Sequence, residues 1–588
     1  MSTSKSLHVS LLLAVALVLY FWDLGRAPFF GTGEARESLE IQEILFRGAW
    51  ILPMRDGIDT PSKPPMYHWL ASLTSLALGR VDEFSARLPS ALLATASLLL
   101  VFWVGARKWS VASGTYAALI LATNFLWIRT ARSARVDMTL CTFLTGAFVA
   151  VEFIAIAARP QTVALVALAL CAACATLAKG PIGFLLPGLV GFTYLVLRRD
   201  FARLMNGRIL VAGGAAIVLA GTWYALATLT GGMPFAHKQL FVENLKTFFA
   251  PGAESGTPVH SRFYVVPAFL SGFAPWSLFV VPLAIDLYRD RRRLDRQGYL
   301  YPLVWFVAVI LFFAVASGKR TEYLLPIYPA ASLLLAGWWN GLSRGETRLP
   351  TVVLRLLQAV AIAAAGAAVV LLIAILTEGA SGSPLEWLRP FLHKTDQENL
   401  GLMRQIIGEH RAALVAWAMP LTATALLFVY GVWRARWPFA FAGLAAFVVA
   451  ATVPTNRMVH PALAQPQTLK PFLAVVRTTL AADDELAFYN TFDYSAVFYF
   501  GRRIPLLQDS FGPPVPAGRA RYFLIWENVW NQLPPDRRQH LQWIARSDGT
   551  SSAMPMTHVD PEHPLDWIGN CCPTEVHLVL ARLVPSTP

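Results

Sequence analysis

The sequence predicts an α-helical polytopic membrane protein of about thirteen transmembrane helices, followed by a small extracytoplasmic α/β domain. Three observations lead there. Of 588 residues, 55% are hydrophobic and only 14% charged, and the mean hydropathy is +0.49, which places the chain among multi-span membrane proteins. The apolar residues fall in runs of about 20, the length that crosses a hydrocarbon core. From Thr455 onward those runs stop, and short β-type segments between Asp, Gly and Pro clusters replace them.

The expected spans are 7–24, 86–106, 111–128, 138–157, 162–178, 181–197, 209–230, 262–285, 299–316, 322–340, 352–376, 411–431 and 438–454. The first lacks a small-residue cleavage site behind its apolar run, so it reads as a retained helix and not a secretory signal. Basic residues set the direction. Arg107 with Lys108, the stretches 198–208 and 289–296, Arg344 to Arg348, and Arg434 with Arg436 all follow even-numbered spans. With Lys5 on the same side, these loops are cytoplasmic. The loops 25–85, 129–137, 179–180, 231–261, 317–320 and 377–410, and all that follows 455, are then extracytoplasmic. The same clustering accounts for the formal charge of +13: the cations report topology, and no nucleic-acid partner is expected.

The expected division is a transmembrane domain over 1–454, with interfacial helices in its first loop 25–85, and a periplasm-type α/β domain over 455–588. In the latter, 485–490, 496–500, 521–526 and 576–584 read as strands. It carries no catalytic motif of its own. The five cysteines form no disulfide framework: Cys141, Cys171 and Cys174 lie in apolar spans as small buried hydrophobes. A bridge between the adjacent Cys571 and Cys572 would be strained.

Chemistry concentrates in the outer loops. The stretch from Gly31 to Leu70 holds Glu34, Arg36, Glu37, Glu40 and Glu43, then Ser62-Lys63-Pro64-Pro65 and the aromatics Tyr67, His68 and Trp69. Charge held against a bilayer is costly and usually functional. Arg132, Arg135 and Asp137 end the second outer loop, Lys179 sits between two apolar runs, and 231–261 contributes His237, Lys238, Glu243, Asn244 and Lys246. Lys319, Arg320 and Tyr323 open the tenth span. A lipid phosphate needs cations to bind it and to stabilise charge on the leaving group. An acceptor hydroxyl or amine needs a carboxylate base, and a groove between helices takes a polyprenyl tail. Together these describe glycosyl transfer from a lipid-phosphate sugar. The blander expectations are that Glu37, Glu40 and Glu43 form the solvated side of an amphipathic interfacial helix, 36–47, with Leu39, Ile41, Ile44 and Leu45 against lipid, and that Tyr67, His68 and Trp69 form an aromatic belt.

The ordered motifs Glu34-Ala35-Arg36, Gly48-Ala49-Trp50-Ile51-Leu52-Pro53, Ser62-Lys63-Pro64-Pro65-Met66-Tyr67-His68-Trp69, Ala86-Arg87-Leu88-Pro89-Ser90, Arg135-Val136-Asp137, Leu177-Ala178-Lys179-Gly180-Pro181 and Tyr323-Leu324-Leu325-Pro326 carry a family resemblance. Over roughly 7–340 the chain resembles the GT-C membrane glycosyltransferases, in the bacterial branch of the lipid A aminoarabinose transferases and protein O-mannosyltransferase-like proteins. The resemblance implies inverting transfer from a polyprenyl-phosphate sugar to lipid A, another glycan or a protein, at the periplasmic face of a bacterial inner membrane. It implies catalytic acids at Glu34 and Asp137, and donor-phosphate contacts from Lys63, Arg135, Lys179 and Arg36. Tyr67, His68, Glu243, Asn244, Lys319, Arg320 and Tyr323 are further site candidates. The family's Asp-Glu pair is Gly33-Glu34 here, and its glutamate before Lys-Pro-Pro is Ser62. No metal or other cofactor is expected to be required. A lipid-linked sugar flippase or an inactive homologue are the competing readings; a flippase predicts pseudo-repeats with broken helices at matching positions, and no internal repeat stands out.

Overall fold

The structure, a computed structural model, describes residues 3–29, 32–57, 60–249, 258–290, 298–377, 390, 394–513, 515–516, 518–553 and 574–584. Cys571 and Cys572 lie outside the described residues. The chain divides into two compact units: Met1–Leu24 with Arg87–Trp223 and His260–Ala462, and Gly25–Ala86 with Tyr224–Val259 and Leu463–Pro588.

The first unit is helical. Among the described residues of the whole chain, 7 helices are long and apolar enough to cross a membrane, or up to 9 if each of two bent pairs is one span. The pair Val111–Ala122 and Phe125–Ala131 bends by 70°. Asn124 causes the restart, because its side chain accepts a hydrogen bond from the Trp127 N–H and caps a new helix. The pair Arg262–Gly272 and Trp276–Arg289 bends by 110° at Phe273-Ala274-Pro275, where proline removes a backbone donor. Three further apolar helices, Lys5–Phe21, Ile182–Leu197 and Leu300–Val315, are shorter, as is Tyr328–Ser343. Every expected segment is therefore helical, but the thirteen full spans reduce to 7–9 with shorter helices beside them.

An aromatic cluster locks this unit's interior. Trp276, Phe279, Trp339 and Phe441 pack with ring centroids 4.6 to 5.9 Å apart, in tilted or edge-on arrangements that suit the ring quadrupoles. The Trp276 Nε1–H donates to Thr123 Oγ1 at 2.9 Å, so its polar atom is satisfied in the apolar interior.

The second unit contains a five-stranded mixed sheet. Its strands are β1 (Glu485–Tyr489), β2 (Leu506–Leu507), β3 (Arg521–Trp526), β4 (Leu541–Ala553) and β5 (Thr574–Leu583), in the order β2-β1-β3-β5-β4. β1 pairs parallel with β2 and β3, and β5 runs antiparallel between β3 and β4. Tyr489, Phe523, Ile525, Trp530 and Val579 form its core. The segment expected as a strand at 496–500 is instead the helix Tyr494–Phe500. Asp493 accepts from the Ala496 N–H and starts it, and Gly501, at φ +80, ends it. β4 was not expected from sequence; register shifts between Trp543 and Ala545 and between Arg546 and Thr550 break its alternation.

The expected loop 231–261 is helical through Phe249, within the apolar stretch Phe201–Phe249. Gly232, at φ +71, breaks the helix, and Pro234 falls in the first turn of the helix that follows.

Candidate functional site

The helix Thr32–Arg47 extends the one expected at 36–47, but its acidic side is not solvated. Glu37, Glu40 and Glu43 are 3%, 0% and 8% exposed. Leu39, Ile41 and Ile44 are buried too, so the helix is enclosed on both faces. The acids are covered because partners meet them. The Arg55 Nε–H donates to Glu40 Oε1 at 2.7 Å, and its Nη2 donates to Ser62 Oγ at 3.1 Å. His68, fully buried, places Nε2 2.9 Å from Glu37 Oε2 and 3.1 Å from Glu40 Oε2. Arg36 donates to Glu37 Oε1 at 3.1 Å. Burial works to raise the Glu37 carboxyl, yet the His68 hydrogen bond and the charges of Arg36, His68 and Arg55 outweigh it and hold that carboxyl well below its ordinary range. For Glu40 burial wins and the carboxyl is raised, against the pull of His68 and Arg55. The two carboxylates outweigh burial at His68 and push the imidazole up.

His68 is therefore a network residue and no belt aromatic. Its neighbours are anchored as well: the Tyr67 hydroxyl donates to the Ala86 carbonyl at 2.8 Å, and Trp69 Nε1–H to the Trp50 carbonyl at 2.8 Å. Glu34 lies half-buried in the first turn of its helix, where the helix dipole favours a carboxylate.

Lys63 pairs with Glu243 at 2.5 Å, which joins two candidates 180 residues apart in the chain. Lys238 and Gln239 donate to the carbonyls of Thr60 and Pro61, so the helical stretch 237–246 braces the Lys-Pro-Pro element. Asn244 donates to the Gln239 carbonyl within that stretch. Asp56 is 4% exposed and takes a positive φ of 52°. Burial raises its carboxyl to about 7, against the charge of Arg503. Arg503 also donates to Glu43 at 3.2 Å and stacks so closely on Gly57, at φ +77, that a Cβ there would fall 2.3 Å from the guanidinium carbon.

In the first unit the structure gathers a second group of candidates. Asp137 opens the helix Val136–Ile156 and is ion-paired with Lys179, the last residue of Thr162–Lys179. Gly180, at φ +85, makes the turn that places it there. The Lys179 ammonium lies 4.3 Å from the Tyr323 ring centroid, a cation–π distance. Arg135 and Arg320 add their positive charge around Asp137. Three cations thus surround one carboxylate, and Tyr323 closes one side. Lys319 is turned away from this group, donating to the backbone carbonyls of His260 and Ala316.

Other motif residues prove structural. Arg132 donates to the carbonyls of Leu19, Tyr20, Trp22 and Asp23 at the end of the first helix. Arg87 donates to the Leu24 carbonyl at 3.1 Å, and Ser90 to the Ser133 carbonyl at 2.7 Å. They satisfy helix-end carbonyls that a membrane interface would otherwise leave unpaired. Sequence reading missed Arg55, Asp56 and Arg503. Arg55 and Asp56 share the tetrad Met54-Arg55-Asp56-Gly57, a turn signal with charges inside an otherwise apolar loop, and that could have flagged them.

Residues 62–225 match the family described as dolichyl-phosphate-mannose-protein mannosyltransferase. An uncharacterized protein of Aquifex aeolicus is 29% identical over 337 residues, 57% of this chain and 64% of the relative. The undecaprenyl phosphate-alpha-4-amino-4-deoxy-L-arabinose arabinosyl transferase 2 of Proteus mirabilis is 26% identical over 331 residues, 56% of this chain and 58% of the relative. The chain therefore spans less than two thirds of the length of these relatives. In fold the likeness is nearly complete: ArnT from Cupriavidus metallidurans, solved bound to undecaprenyl phosphate, matches with a TM-score of 0.71 at 19% identity, over 99% of each chain.

The chain shares the ArnT fold. The likeness covers both the multi-helix membrane unit and the C-terminal mixed sheet, while the sequence similarity to the arabinosyl transferases and to the mannosyltransferase family covers part of the chain. The Lys-Pro-Pro element and the Arg-Val-Asp and Ala-Lys-Gly-Pro motifs lie inside the residues matched to the mannosyltransferase family.

Proposed function

We propose that the chain transfers a sugar from a polyprenyl-phosphate donor to a lipid, glycan or protein acceptor, with inversion at the anomeric carbon. The observation that carries the proposal is the Asp137 centre: one buried carboxylate paired with Lys179 and surrounded by the charges of Arg135 and Arg320. An excess of cations over acids suits a phosphate that gains charge as its bond to the sugar breaks. In the proposed step the acceptor hydroxyl or amine attacks the anomeric carbon, Asp137 receives the acceptor's proton, and the bond from that carbon to the phosphate oxygen breaks. Polyprenyl phosphate leaves as an anion held by Lys179 and Arg135. Glu34, Arg36 and Lys63 keep the roles the resemblance gives them, as second acid and phosphate contacts. Lys63 must exchange Glu243 for the phosphate, so Glu243 acts as the resting counterion. The reacting centre is proposed to work without a metal.

The orientation read from the basic loops supports the periplasmic face of a bacterial inner membrane as the proposed side of this chemistry and of the C-terminal domain. Undecaprenyl phosphate is the proposed carrier, supported by the carrier named for the Proteus relative and for the ArnT structure. Purified protein given a radiolabelled undecaprenyl-phosphate sugar and lipid A, glycan or peptide acceptors should form labelled product. Translocation in sealed vesicles without product would favour a flippase, and neither result would mark an inactive homologue.

A further inference from the structure

The buried group on the helix Thr32–Arg47 has a geometry that ion pairing alone leaves incomplete. His68 Nε2 faces two carboxylate oxygens, Glu37 Oε2 at 2.9 Å and Glu40 Oε2 at 3.1 Å. A single N–H satisfies one of them along its axis, and Glu40 Oε2 is left buried with no hydrogen-bond partner among the described residues. An unsatisfied buried acceptor costs about 1–3 kcal/mol. With the hydrogen on Nδ1 the mismatch worsens, since the Nε2 lone pair would then oppose two anionic oxygens. Full protonation leaves the Nδ1–H buried without a partner among the described residues. Every proton arrangement thus strands a polar atom in a site where His68 and Glu40 are each 0% exposed.

The remaining oxygens are already used. Glu37 Oε1 accepts from Arg36, and Glu40 Oε1 accepts from Arg55. Each carboxylate therefore gives one oxygen to an arginine and turns the other toward the imidazole. Outer hydrogen bonds of this kind orient carboxylates that ligate a metal. The three inward atoms lie within 4.8 Å of one another, close enough for one ion at about 2.0–2.2 Å from each after a small expansion.

We propose that Glu37, Glu40 and His68 bind one divalent first-row cation of the zinc or manganese class. One imidazole nitrogen with two carboxylate oxygens is a set such ions accept. On binding, His68 Nε2 and the two carboxylates give electron pairs to the ion, so that Glu40 Oε2 gains the partner it lacks, while the ring's hydrogen resides on Nδ1, which stays buried as before. The ion ties the helix Thr32–Arg47 to the helix Met66–Leu78. Glu34 lies one turn before Glu37 and Lys63 five residues before His68, so the ion fixes the segments that carry both. The site is structural: its ligands hold helices, and through the Arg36–Glu37 hydrogen bond it also positions Arg36.

Metal loading tests this without donor or acceptor, so the result is independent of the transfer reaction. Full-length protein in detergent is stripped with EDTA, then offered Zn²⁺ or Co²⁺ and desalted. Wild-type protein should retain about one equivalent per chain and show cobalt d–d bands, and Zn²⁺ should restore the thermal midpoint that EDTA lowers. Glu37→Gln and His68→Gln should each weaken retention by about tenfold or more, while Glu346→Gln, on an exposed loop, should load as wild type. Wild-type protein that stays colourless in saturating Co²⁺ and gains no stability from Zn²⁺ overturns the proposal. So does loading that the Glu37 and His68 variants leave unchanged.

Discussion

The two buried charge groups differ in their balance, and the balance separates their roles. Around Asp137 one carboxylate meets Lys179, Arg135 and Arg320. Around His68 two carboxylates meet one imidazole, with Arg36 and Arg55 taking the outer oxygens. A surplus of cations suits an anionic ligand such as a phosphate. The His68 group sets two carboxylates against Arg36, Arg55 and the imidazole and ties helices together, with the inward oxygen of Glu40 left for the proposed cation. Burial alone does not distinguish them; the ratio of acids to cations does.

The largest difference expected between the groups is in catalysis. A positioned general base contributes about 10²–10⁴-fold, so loss of the Asp137 carboxylate should cost transfer by that order, whereas a Glu43→Gln change should cost transfer little. Stability should respond the other way. Arg55→Met leaves Glu40 buried without its guanidinium, and breaking a buried pair costs about 3–5 kcal/mol. Thermal unfolding in detergent should show that loss. A midpoint that moves no more than for an exposed substitution would remove the distinction.

Lys63 gives an intermediate case, because it is paired with Glu243 and only partly buried. Lys63→Met should raise KM for the donor by about tenfold, the worth of one charge-assisted hydrogen bond, with a smaller change in kcat. Glu243→Gln should lower donor KM, since Lys63 no longer has to leave a counterion. Equal KM values in wild type and both variants would remove Lys63 from the phosphate.

The smallest effect concerns Asp56. Its folded carboxyl is raised to about 7, chiefly by burial, from an unfolded value of about 3.9. Between these values the folded state binds more protons than the unfolded state, so stability falls as pH rises from about 4 to 7. Asp56→Asn should flatten that part of the stability profile. An unchanged slope would mean that Asp56 titrates normally.

Much of the fold was legible because membrane spans are written as apolar runs, and each expected run is helical. The breaks were harder to see, since Asn124 caps a helix with one side-chain hydrogen bond inside an apolar stretch. The helix Tyr494–Phe500 read as a strand because Tyr, Val and Phe favour sheets, while its start depends on Asp493. In the candidate site, sequence motifs brought forward Asp137, Lys179 and Lys63, and the structure gives each a charged partner. The acidic face of Thr32–Arg47 was misread as solvated, because helical spacing reports which residues share a face and nothing of what covers it. Its partners Arg55 and His68 come from later in the loop, and Arg503 lies 460 residues from Glu43.

The central claim is that the cation-rich group around Asp137 performs the transfer. Its most direct test is the rate of labelled-sugar transfer from undecaprenyl phosphate by purified Asp137→Asn, measured beside its thermal midpoint. The expected result is a loss of at least about 10²-fold with a folded protein. Transfer at the wild-type rate by a folded Asp137→Asn protein would contradict it.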